Sequence, residues 1–127
     1  LSNVISGGEM SRFLLAIKSS ISKKPNTFFF DEIDNGLSGK SLLSLVELIK
    51  KISKDQQVLC ITHQPFLAAS GSTHFKVNKK VIDGITYTSI LKLNTKKQRK
   101  HELIELIGGG TAEVNEYASI LLDKAAA

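Results

Sequence analysis

The sequence predicts an α/β fold with parallel core strands, a β-hairpin and C-terminal helices. Three observations predict it. Two short apolar runs, residues 27–30 and 57–62, flank a segment with helical spacing. Strand, helix, strand in that order is a crossover that joins two parallel strands. Further on, Asp83-Gly84 stands between two strand-like runs, a strong signal for a tight antiparallel turn.

The elements follow in order. Ser6-Gly7-Gly8 precedes Met10, Phe13, Leu14, Ile17 and Ile21, which lie three and four apart on one face of a helix. Pro25-Asn26 ends that helix. Residues 27–30 are apolar after Thr27 and show no alternation, as expected of a strand covered on both faces. Ser38 is placed to cap a second helix to about residue 53, with Leu42, Leu45, Val46, Ile49 and Ile52 on its inner face. Residues 57–62 read as another doubly covered strand, and a short helix follows Pro65. Residues 74–80 and 85–93 pair as the hairpin. Helices at about 96–107 and 112–122 are separated by Gly108-Gly109-Gly110, a helix stop and hinge.

A length of 127 residues suits one domain, and 42% hydrophobic with 23% charged residues is ordinary globular composition. No run approaches the roughly 18 apolar residues of a membrane helix, and no secretory segment opens the chain. The single cysteine, Cys60, excludes a disulfide framework or a cysteine-based zinc site within one chain. It lies in the apolar run "VLCIT" and reads as a core residue in a reducing cytoplasm. The net charge of +5 is compatible with a polyanionic partner. The densest basic cluster is Lys96, Lys97, Arg99 and Lys100, either a DNA contact or a solvated helix start. The first residue is not Met, and the chain opens inside a motif, so a longer protein is expected.

Ligands of parallel sheets sit beyond the carboxyl ends of the strands. Asp31 and Glu32 end the first strand and His63 ends the second, so the crossover brings all three to one edge. An Asp there can hold Mg²⁺. A neighbouring Glu can orient or deprotonate an attacking water. Gly39-Lys40-Ser41 resembles the tail of a phosphate-cradling loop, but the pattern needs glycine at position 34, where Asp34 stands. That loop is therefore rejected, and the tripeptide reads as a helix start. Ser6-Gly7-Gly8 before a helix can present free N–H groups to an anion.

In this order and spacing, "ISGGEMSR", "TFFFDEID" and "VLCITHQP" resemble the signature motif, Walker B strand and switch-histidine loop of ABC-type ATPase heads. "FDEIDNGLSGK", "ITHQPFLAA", "HFKV" and "ELIELIGGG" narrow the resemblance to the SMC-like RecN family of bacterial double-strand-break repair ATPases. The resemblance implies that residues 1–127 are the C-terminal lobe of a P-loop NTPase head, with the Walker A half and coiled coil elsewhere. It implies Asp31 on the Mg²⁺ side, Glu32 as catalytic base and His63 sensing the γ-phosphate. Ser6, Gly7, Gly8 and Glu9 would close over ATP held by the opposite head of a homodimer. The loop from Asn35 to Ser38 would cross that interface, although Ser38 stands where many relatives carry Asp. DNA would be a partner of the whole protein, which would be cytoplasmic and associated with the nucleoid. The missing half of the head would be the fragment's other partner, and alone the fragment would hydrolyse no ATP.

Two other classes remain open on the sequence. A transporter's nucleotide-binding subunit would need a membrane partner; "DEID" and the C-terminal hairpin and helices argue against it. A non-catalytic basic interaction module would be indifferent to substitution of Glu32.

Overall fold

The element order is β1 (Thr27–Asp31), α1 (Gly39–Ile52), β2 (Gln57–Ile61), α2 (Pro65–Ser70), β3 (Phe75–Ile82), β4 (Ile85–Lys92), α3 (Lys96–Ile107) and α4 (Ala112–Ala126). This computed structural model describes residues 16–17 and 26–126. The chain divides into two compact units, Leu1–His63 and Gln64–Ala127. Of the helix expected after Ser6-Gly7-Gly8, the described residues are Ala16 and Ile17, both helical. Among the described residues no helix is long and apolar enough to cross a membrane.

In the first unit β1 and β2 pair in parallel, with Phe28 opposite Val58 and Asp31 opposite Ile61. Alpha-helix α1 supplies the covering layer. Its Leu48 and Ile52 form a core with Ile17, against which Phe28, Phe30, Ile33 and Val58 pack. The expectation that both strand faces are covered is corrected here. Burial alternates along β1 and β2, and Phe29, Leu59 and Ile61 on the other face are 61%, 42% and 48% exposed. The reason is periodicity. Side chains at successive strand positions point to opposite faces, and α1 lies over the face of Phe28 and Phe30.

Ser38 takes the N-cap position of α1, with extended backbone, but its side chain makes no capping bond. Gly39 explains the difference. Its φ of 53° is left-handed, and it turns the chain between Ser38 and the helix it was expected to cap.

The second unit begins with α2. Strands β3 and β4 form an antiparallel hairpin in which Ile82 faces Ile85. Asp83 and Gly84 have φ of 51° and 77°, the two left-handed positions of the tight turn that Asp-Gly favours. Helix α3 opens with a reciprocal cap. The Gln98 N–H donates to Thr95 Oγ1 at 3.1 Å, and the Thr95 N–H donates to Gln98 Oε1 at 3.0 Å. It stops at Gly108, whose N–H donates to Ile104 and Glu105 carbonyls at 3.2 and 3.1 Å, as expected of the glycine run. Helix α4 runs four residues beyond the expected end, because Asp123-Lys124-Ala125-Ala126 contains no helix breaker. Leu103 of α3, Ala69 of α2, and Ala118, Leu121 and Leu122 of α4 form the core. Thr95→Ala removes the Oγ1 that accepts from the Gln98 N–H and leaves the backbone bond to Gln98 Oε1 in place. It is expected to lower stability by about 1 kcal/mol, read as an earlier midpoint in urea unfolding.

The basic cluster on α3 is partly committed to structure. The Arg99 guanidinium donates to the carbonyls of Ala69 and Gly71 at 2.9 and 2.7 Å, and Lys96 pairs with Asp123 at 2.6 Å. Burial, and then the positive charge of Arg99, hold His74 below its ordinary value near 6.5, against an opposing pull from Glu102. The unfolded chain therefore takes up that proton first. Above the ordinary value His74 exacts no penalty, and stability falls as pH drops from there through the folded pKa. Urea midpoints at pH 7.5 and 5.5 should show this loss, and His74→Gln should reduce it.

Candidate active site

The site is built at the carboxyl ends of β1 and β2. Asp31 is the last residue of β1 and lies opposite Ile61, the last of β2. The Glu32 N–H donates to the Ile61 carbonyl at 3.0 Å, extending the pairing one step past the strand. His63 follows two residues after Ile61. The crossover thus places Asp31, Glu32 and His63 at one end of one pair of strands, and all three are exposed.

Glu32 has an unusual backbone, with φ of 47°. A non-glycine residue there is strained by about 1–2 kcal/mol, and such residues cluster at functional sites. The turn beyond it is closed by hydrogen bonds. The Asn35 N–H donates to the Glu32 carbonyl and the Leu37 N–H to the Asp34 carbonyl, each at 3.0 Å. Ser38 is exposed at the end of this loop. Ser6, Gly7, Gly8 and Glu9 lie outside the described residues.

The residue that sequence reasoning missed is Asp34. It entered only as the wrong residue for a phosphate loop, yet its side chain is fully buried. Its Oδ2 accepts a hydrogen bond from Thr62 Oγ1, and Oδ1 is buried with no partner among the described residues. A third acid in a polar turn gives no local signal of burial, so residue type alone could not have found it. Behind it, Cys60 is half-buried, and burial followed by the Asp34 charge pushes its thiol up to about 11. A thiol in that state is a poor nucleophile, although Cys60 is not among the buried core residues that its apolar run led one to expect.

Among the described residues no group of three or more His, Cys, Asp or Glu could enclose a metal ion. The donor set suits a weakly held hard cation instead. Mg²⁺ keeps several waters and takes one or two carboxylates, the rest of its shell coming from substrate phosphates. Exposed Asp31 offers one such carboxylate.

No family model matches the chain. Among curated proteins, DNA repair protein RecN of Synechocystis sp. (strain PCC 6803) is 41% identical over all of this chain and 25% of its own length. RecN of Bacillus subtilis is 43% identical over 86% of this chain and 19% of its own. RecN of Deinococcus radiodurans is 36% identical over 96% and 22%. The chain thus spans at most about a quarter of the length of these relatives. A solved structure from work on ATP-driven dimerization and DNA-stimulated activation of SMC ATPases superposes with a TM-score of 0.57 at 22% identity. The match covers 84% of this chain and 64% of the other. That likeness establishes the α/β fold, and identities of this size over most or all of the residues establish kinship: the chain belongs to the RecN family of DNA repair proteins.

Proposed function

We propose that this chain is the C-terminal lobe of an SMC-like, P-loop ATPase head. Together with the rest of that head it binds and hydrolyses Mg-ATP between two dimerised heads during repair of DNA double-strand breaks. The observation that carries the reading is the parallel pairing of β1 and β2, with Asp31 and Glu32 at one strand end and His63 just beyond the other.

In this reading Glu32 is the base that orients and deprotonates the attacking water, and His63 contacts the γ-phosphate. Asp31 would hold Mg²⁺, which when bound would supply charge neutralisation at the phosphates. Ser6, Gly7, Gly8 and Glu9 close over ATP on the opposite head, and the loop ending at Ser38 crosses between heads. The phosphate-cradling loop comes from the rest of the head, so the fragment alone turns over no ATP. The open face of Phe29, Leu59 and Ile61 supports this, because a two-stranded sheet with one apolar face exposed is an incomplete core. The test is Mg-ATP turnover by the full-length protein, wild type against Glu32→Gln. Full turnover in the variant would remove the proposed base.

A further inference from the structure

The structure assigns Asp34 a positioning role in the proposed site: through Thr62 it locks the His63 loop to the turn that carries Glu32. This rests on the ATPase reading above and names a residue that the reading does not use.

The argument begins with cost. A carboxylate withdrawn wholly from water is expensive unless fully hydrogen-bonded. Asp34 is 0% exposed, yet only one of its oxygens has a partner among the described residues, the Thr62 hydroxyl. Stability alone does not account for this, because an apolar residue of similar size would avoid the penalty. What Asp34 does supply is a link between two loops. Its backbone lies inside the turn after Glu32, held by Asn35 N–H to the Glu32 carbonyl and Leu37 N–H to the Asp34 carbonyl. Its side chain reaches Thr62, the residue immediately before His63.

The bond from the Glu32 N–H to the Ile61 carbonyl lies before either loop leaves the strands. The Asp34–Thr62 bond lies beyond the strand ends, where Glu32 and His63 are exposed. It also helps to hold Glu32 at its positive φ, since strained backbone persists only where surrounding contacts over-determine it. Asp34 need not touch nucleotide to act. It sets where the proposed base stands relative to the proposed phosphate sensor, and small misplacements of such groups are costly to rate.

Thr62→Val in the full-length protein removes the hydroxyl with little change of shape, and Thr62→Ser keeps it. Two measurements are made on each variant: steady-state Mg-ATP hydrolysis, and amide hydrogen exchange in the segments 32–37 and 61–64. The expected result for Thr62→Val is a fall in kcat of about 10- to 100-fold, with KM for ATP within about twofold. Exchange should rise in both segments together, and Thr62→Ser should restore both readouts. Asp34→Asn, which retains an acceptor, should fall between Thr62→Val and wild type. Unchanged kcat and unchanged exchange in Thr62→Val overturn the proposal, as does faster exchange in one segment alone. Turnover that Glu32→Gln removes and Thr62→Val spares overturns the proposal while leaving the ATPase reading intact. A wild-type protein without turnover overturns the ATPase reading, and the positioning role falls with it.

Discussion

Glu32→Gln in the full-length protein should lower Mg-ATP turnover by at least about 100-fold, the lower end of what a positioned general base contributes. ATP binding should change little. The substitution is close to isosteric and replaces an exposed side chain, so no packing is lost. The positive φ of Glu32 is kept, because Gln meets the same backbone restriction as Glu. What changes is the ability to accept a proton. Steady-state hydrolysis and equilibrium binding of a fluorescent ATP analogue separate the two effects. Lost turnover with retained binding assigns the chemistry to the Asp-Glu pair, and Gly39-Lys40-Ser41 is then only the start of α1. Equal turnover in the two proteins removes Glu32 from the base role, and absence of turnover in both moves the non-catalytic interaction module ahead.

The elements that position this site were legible because each depends on local pattern. Residues 27–30 and 57–62 are apolar runs of strand length around an amphipathic segment, and that order alone gives β1, α1 and β2 and brings Asp31, Glu32 and His63 to one end. Asp83-Gly84 and Gly108 announced their turns through backbone preference. The remainder depended on contacts or dihedrals that residue type does not encode. The inner positions 28–30 and 58–61 are apolar without alternation, so within them the open face of Phe29, Leu59 and Ile61 could not be told from the covered one. Ser38 is the right residue type for a cap, but the φ of Gly39 decides the geometry. Arg99 looked like one member of a surface cluster until its carbonyl partners, about a helix and a hairpin away in sequence, were in view. Asp34 is the clearest case. Its burial and its bond to Thr62 are long-range facts, and an acid in a polar loop carries no local mark of either.

Leu103→Ala should destabilise the second unit by about 2–5 kcal/mol, the range for a buried leucine cut back to alanine. Leu103 is fully buried, and no other residue of α3 is. It packs among Ala69, Ala118, Leu121 and Leu122. Two of those neighbours are alanines on helices, with no side-chain length to move into the space left behind, so the cavity should persist and the effect should lie toward the upper part of the range. Typical domain stabilities are about 5–15 kcal/mol, so a large share of the unit's stability would be lost. Leu103→Met keeps the volume and should cost less than about 1.5 kcal/mol. Urea unfolding of both variants decides what holds α3 in place. Beyond Leu103 and its partly buried neighbours, the helix is fixed by polar ties that include Arg99 to the Ala69 and Gly71 carbonyls, Glu102 to Lys76 of β3 and Lys96 to Asp123 of α4. A loss below about 1 kcal/mol in Leu103→Ala would mean that those ties carry the helix. The expected larger loss would mean that they only orient a helix which one leucine secures.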